Sequence, residues 1–107
     1  MHPWLLQLQP GAYEAINVSS GAVGFTSALI DPASHSKGPA VVAVISPEGG
    51  AIRYRCDGIA PEAAVTKGMP VAAGDVVILS GHSLLKAFRG ILSTGTTVYI
   101  NVQYYHL

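Results

Sequence analysis

Ala40-Val41-Val42-Ala43-Val44-Ile45-Ser46, then Pro47-Glu48-Gly49-Gly50, then Ala51-Ile52-Arg53-Tyr54-Arg55-Cys56-Asp57 is the stretch that decides the fold class. Two runs rich in β-branched and aromatic residues flank a segment of turn formers, the composition of a β-hairpin. With the turn centred on Glu48-Gly49, Ile45 faces Ile52, Ala43 faces Tyr54 and Val41 faces Cys56. Side chains alternate across a strand, so these residues share one apolar face. The opposite face carries Val44 beside Arg53 and Val42 beside Arg55. A strand written Ile-Arg-Tyr-Arg-Cys has one side inward and one side wet. Ile52, Tyr54 and Cys56 are therefore expected inside, with Arg53 and Arg55 at the surface or against a partner.

Working outward, glycine and proline punctuate the chain, and short runs rich in Val, Ile, Tyr and Thr lie between them. This spacing predicts many short strands rather than a helical bundle. Tyr13–Ser19 and Val23–Ile30 read as the first two strands. Asp31–Pro39 reads as a polar loop. Beyond the central pair, Met69–Ala73 and Asp75–Ser80 read as extended, His82–Lys86 as one helical turn, and Ala87–Leu92 as extended again. Thr96–Tyr105 is the last strand, with Val98, Ile100, Val102 and Tyr104 on one face and Tyr99, Asn101, Gln103 and Tyr105 on the other. The expected fold class is all-β: a single antiparallel β-sandwich or jelly-roll-like domain over residues 13–107. An extended N-terminal arm over residues 1–12 precedes it. The arm carries Trp4, Leu5, Leu6 and Leu8, and Pro3, Pro10 and Gly11 interrupt it. It docks either on its own domain or on a neighbour.

The chain has 107 residues, enough for one core and too few for two comfortable domains. Half of the residues are apolar and only 11% are charged, against an ordinary quarter, which fits either a surface partly covered by another protein or a sparsely charged monomer with a Ser/Thr/Gly surface. Six basic and six acidic residues are scattered, with no dense basic patch, so nucleic-acid binding is not expected. The single cysteine, Cys56, excludes an intrachain disulfide and reads as a small hydrophobe. No apolar run reaches the length of a membrane span, and the first residues do not resemble a signal peptide. Synthesis in the cytoplasm is expected, without a membrane partner.

No catalytic or metal constellation emerges. The four histidines, His2, His35, His82 and His106, lack metal-ligand spacing and read as surface or loop residues. Ser80-Gly81-His82-Ser83 puts serine near histidine without a nucleophile-elbow motif; catalysis there requires a carboxylate brought in by folding. No phosphate-binding glycine pattern occurs. No enzyme, metal or cofactor is expected. The polar face of the last strand (Tyr99, Asn101, Gln103, Tyr105) has the Tyr-plus-amide composition of a contact surface, and equally that of a solvated sheet face.

From Gly50 to the end the chain resembles a family of small tailed-phage proteins encoded near capsid and tail genes. The resemblance rests on Ala51-Ile52-Arg53-Tyr54-Arg55-Cys56-Asp57-Gly58 with Pro61, on Gly68, Gly74 and Gly81, on Leu85 with Ala87-Phe88-Arg89, and on Asn101-Val102-Gln103-Tyr104-Tyr105. It covers about half the chain and fixes no chemistry. It implies a virion structural protein, most simply a capsid decoration or cement protein. Its partners would be the major capsid protein or other virion proteins and further copies of itself, in a homo-oligomer. A head–tail or tail accessory protein is the alternative in the same setting, and a ligand- or sugar-binding β-sandwich module the alternative outside it.

Overall fold

The computed structural model describes residues 8–18, 21–31, 38–59, 61, 68–95 and 97–106. In chain order its elements are β1 (Gln9–Val18), α1 (Ser27–Ile30), β2 (Ala40–Glu48), β3 (Ile52–Arg55), β4 (Met69–Val71), β5 (Val77–Ser80), α2 (His82–Ala87), β6 (Arg89–Leu92) and β7 (Val98–His106). Strands take up 53% of the described residues and helix 12%, and α2, the longer helix, has six residues, so the all-β reading holds. Two antiparallel sheets pack together, a four-stranded one in the order β1-β7-β2-β5 and a three-stranded one in the order β4-β3-β6.

The last strand reads as the alternation predicted. Val98, Ile100, Val102 and Tyr104 are fully buried, and Tyr99, Asn101, Gln103 and Tyr105 face outward. β7 sits between β1 and β2, so its apolar side forms the floor of the core. Ala43, Ile45 and Leu79 join it from the same sheet, and Ile52 and Val71 from the other. Phe25, Ile30, Leu85 and Phe88 fill the space between. Phe88 is sandwiched by aromatics, stacked on Phe25 at 4.1 Å and beside Tyr54 at 5.7 Å between ring centroids. Burial of these side chains is the main stabilising term, about 1.5–3 kcal/mol for each large apolar residue.

The central hairpin does not form. β2 pairs with β7 and β5, whereas β3 pairs with β4 and β6. Pro47-Glu48-Gly49-Gly50 is a corner that carries the chain from one sheet to the other. Ladder length decides the outcome: β7 matches β2 along its whole course from Ala40 to Glu48, while β3 is four residues long. β2 is apolar on both sides, which suits a central strand. Gly49 makes the corner with φ +90°, where a Cβ would run into the Thr97 carbonyl. Ile45 and Ile52 are both buried as expected, but they belong to different sheets.

Two further expectations change at the N-terminal side. β1 starts at Gln9, so Gln9–Ala12 belong to the sheet and not to an arm; Gln9 pairs with His106 and Pro10 with Tyr105. A bulge between Pro10 and Tyr13 absorbs the Pro-Gly interruption. Leu8 is half-buried just ahead of the strand, and Trp4, Leu5 and Leu6 lie outside the described residues. The strand expected over Val23–Ile30 is reduced to an isolated bridge between Val23 and Gly90, followed by the one-turn helix α1. The Glu14 carboxylate anchors the start of this turn. It accepts from the Thr26 hydroxyl at 2.6 Å and from the Thr26 N–H at 3.3 Å, at the extended residue that precedes α1.

Candidate interaction surface

The outward side of the four-stranded sheet gathers the residues singled out on the last strand. Register places Tyr13, Gln103, Val44 and Ile78 in one row across β1, β7, β2 and β5. Ala15, Asn101 and Ser46 form the next row, and Asn17, Tyr99 and Glu48 the one after. Tyr13 is 59% exposed and Ile78 66% exposed, large apolar side chains left in water on this side. Glu48 is the only charged residue in these rows.

The amides are held by their own sheet. Asn101 accepts a hydrogen bond from the Tyr13 hydroxyl and donates to Glu48 Oε1 at 3.2 Å. Gln103 Nε2 donates to the Gly11 carbonyl at 3.0 Å, across the bulge of β1. Locked polar side chains lose little further freedom on binding, which favours a contact surface over a loosely solvated one.

Arg53 and Arg55 lie elsewhere, on β3 of the three-stranded sheet. Arg53 donates to the Gly68 carbonyl at 3.1 Å, and Arg55 pairs with Asp57. The Arg55 guanidinium holds the Asp57 carboxyl below the usual carboxylate range. Tyr54 and Cys56 are partly buried against the core rather than sealed within it. Burial, and then the Asp57 charge, push the Cys56 thiol upward. Tyr54, Arg55, Cys56 and Asp57, with Gly68 and Met69, line an open cleft of about 400 Å³. The two arginines therefore do not join the tyrosine–amide face.

One histidine departs from expectation and another gains a partner. His106 is buried at the end of β7, with Nδ1 2.7 Å from the Gly38 carbonyl. Its ring lies so close to Gly11 that a Cβ there would stand 2.5 Å from it, which explains the glycine. His82, the first residue of α2, has Nε2 2.7 Å from Asp31 Oδ1, and Lys86 approaches the same carboxylate at 3.9 Å. Folding thus supplies the carboxylate that a catalytic reading of Ser80–His82 requires. Among the described residues no hydroxyl bonds to the His82 ring, so the nucleophile–base contact is missing. A cleft of about 160 Å³ beside it is lined by Phe25, Ser27, Ile30, Asp31, Lys86 and Arg89. No group of three metal-ligating side chains occurs among the described residues, and no described helix is long and apolar enough to cross a membrane. His2 and His35 lie outside the described residues.

Glu14 is the residue that sequence reading missed. It sits between the layers, where it accepts from the Tyr104 hydroxyl as well as from Thr26. Burial, reinforced by this carboxylate, pushes the Tyr104 phenol far above its ordinary range. Glu14 shares the inward side of β1 with Ile16 and Val18, while Tyr13, Ala15 and Asn17 turn outward.

Glu48 opposite Tyr99 gives the aromatic–acid adjacency that a sugar-binding module needs. Both residues are exposed on the outward side of the sheet. Comparison with family models, curated proteins and solved structures returned no match.

Proposed function

We propose that this chain is a structural component of a tailed-phage particle, acting as a capsid decoration or cement protein. In this reading it is made in the host cytoplasm, joins the virion, and stabilises the head through repeated non-catalytic contacts with the major capsid protein and with its own copies. Nucleic acid and membrane are not partners. The observation that carries the reading is the outward face of the four-stranded sheet, broad, nearly uncharged and with its amides fixed. The resemblance over residues 50–105 supplies the setting.

The size of the face favours many contacts over one. A strand spacing of about 4.8 Å and a rise of about 3.4 Å per residue give it a footprint of about 500 Å². That is less than the share of about 800 Å² that one partner contributes to a standard interface. A single contact of this size is weak, but copies linked through a lattice gain avidity without any stronger site.

The test is substitution on the exposed face. Tyr99→Ala removes an aromatic that is 37% exposed and should cost about 1 kcal/mol of stability while leaving the fold intact. Its occupancy on purified particles should fall about tenfold, as expected for an aromatic anchor. Unchanged occupancy with an intact fold would remove this face from the account. A head–tail or tail accessory protein would instead show a few copies confined to the tail vertex.

A further inference from the structure

We propose that β5 is a self-association edge, pairing antiparallel with β5 of a second copy about a twofold axis at Ile78. This does not rest on the capsid reading, since it follows from the edge of the sheet alone.

Among the described residues the chain has four sheet edges, and three are blunted. β1 carries Pro10 and a bulge, β4 carries Pro70, and β6 is engaged by Val23, which exchanges two backbone hydrogen bonds with Gly90 at 2.9 and 2.8 Å. Proline, bulges and covering segments are the devices that keep strand edges from pairing with other chains. β5 has none of them. Val76-Val77-Ile78-Leu79-Ser80 contains no charge and no proline, and Val76 and Ile78 are 63% and 66% exposed.

The hydrogen-bond alternation shows which groups are free. Gly81 N–H donates to the Val41 carbonyl at 2.7 Å, which fixes Gly81 opposite Val41 as a bonded pair. Bonded pairs alternate in an antiparallel ladder, so Leu79 and Val77 also turn their backbone groups to β2. Val76, Ile78 and Ser80 therefore turn theirs to the open edge, and no described strand meets them.

The edge is complementary to itself. A twofold axis at Ile78 sets Ile78 opposite its copy and Val76 opposite Ser80 of that copy. All three outward residues then exchange backbone hydrogen bonds. Asp75, the nearest charge, falls opposite Gly81 of the copy, so no like charges meet. The apolar side chains of Val76 and Ile78 leave water together, and the sheet becomes a continuous one of twice the width. The paired stretch is about 17 Å long. An interface this small belongs to the weak, concentration-dependent class. The expected dissociation constant is on the order of micromolar to hundreds of micromolar.

Sedimentation equilibrium from about 1 µM to about 1 mM spans that range. The mass should rise toward twice the 11.1 kDa of the chain. Ile78→Lys places like charges across the axis and removes two apolar contacts; it should raise the dissociation constant at least about a hundredfold. Ala28→Lys, on the exposed side of α1, should leave it unchanged. A second measurement does not depend on that variant folding: the amides of Val76, Ile78 and Ser80 should exchange fast in dilute protein and slowly in concentrated protein. A chain that stays monomeric to 1 mM, a dimer that survives Ile78→Lys, or concentration-independent exchange at Ile78 and Ser80 would each overturn the proposal.

Discussion

Replacing Glu14 with alanine tests how the layer that carries the interaction face is held. Its carboxylate is the common acceptor for the Tyr104 hydroxyl and for the hydroxyl and N–H of Thr26. Thr26 is exposed, so its groups turn to water at little cost. Tyr104 is fully buried, and its hydroxyl loses its acceptor inside the protein. An orphaned buried donor costs about 1–3 kcal/mol. We expect Glu14→Ala to destabilise by about 2 kcal/mol, which for a domain of this size lowers Tm by about 8–15 °C. Tyr104→Phe alone should cost about 1–2 kcal/mol, since the carboxylate loses one donor. The double variant should cost little more than either single one, because neither partner is then left alone. Urea unfolding of the four proteins, followed by circular dichroism, gives the cycle. A coupling of about 1–2 kcal/mol is expected; additivity to within about 0.5 kcal/mol would refute the clasp.

The raised Tyr104 phenol also sets a pH dependence. Above the unfolded value of about 10 the unfolded chain releases this proton while the folded chain keeps it, so stability present below that pH is lost as pH rises, by up to about 1.4 kcal/mol per unit; Tyr104→Phe should flatten the alkaline limb of the stability profile. Cys56 should react with iodoacetamide more slowly at pH 8 in the native protein than in urea, and Asp57→Asn should speed the native reaction, because burial and the adjacent charge both oppose the thiolate. A native rate equal to the unfolded one would contradict the placement. His82→Ala breaks a partly exposed pair with Asp31 and should change stability by no more than about 1 kcal/mol in urea unfolding. Gly49→Ala should cost about 1–3 kcal/mol, since it forces a side chain to φ +90° against the Thr97 carbonyl.

Alternation carried the strand assignments that local sequence could support. Val98, Ile100, Val102 and Tyr104 are spaced by two, and only a strand buries all four on one side. Burial of Ile52 followed from the same rule, whereas Arg53, Tyr54 and Arg55 after it are all half-buried. Pairing was a different matter. A four-residue Pro-Glu-Gly-Gly connection fits a hairpin and a corner between sheets equally well. What chose between them was the longer ladder that β7 offers β2 from a point about 50 residues further along the chain, a competition no local window contains. Glu14 was hidden because its acceptor role depends on Tyr104, 90 residues away in the chain. The interaction face was half legible. Tyr99, Asn101, Gln103 and Tyr105 lie on one strand, but Tyr13, Val44 and Ile78 join them only through register.

In the proposed role this chain sits on the capsid surface of a phage particle in many copies. Quantitative mass spectrometry of purified particles, calibrated against the major capsid protein, tests it most directly. The chain should appear in a fixed stoichiometric ratio to the major capsid protein, with that ratio reduced in particles assembled with Tyr99→Ala. Absence from washed particles, or a handful of copies per virion, would contradict it.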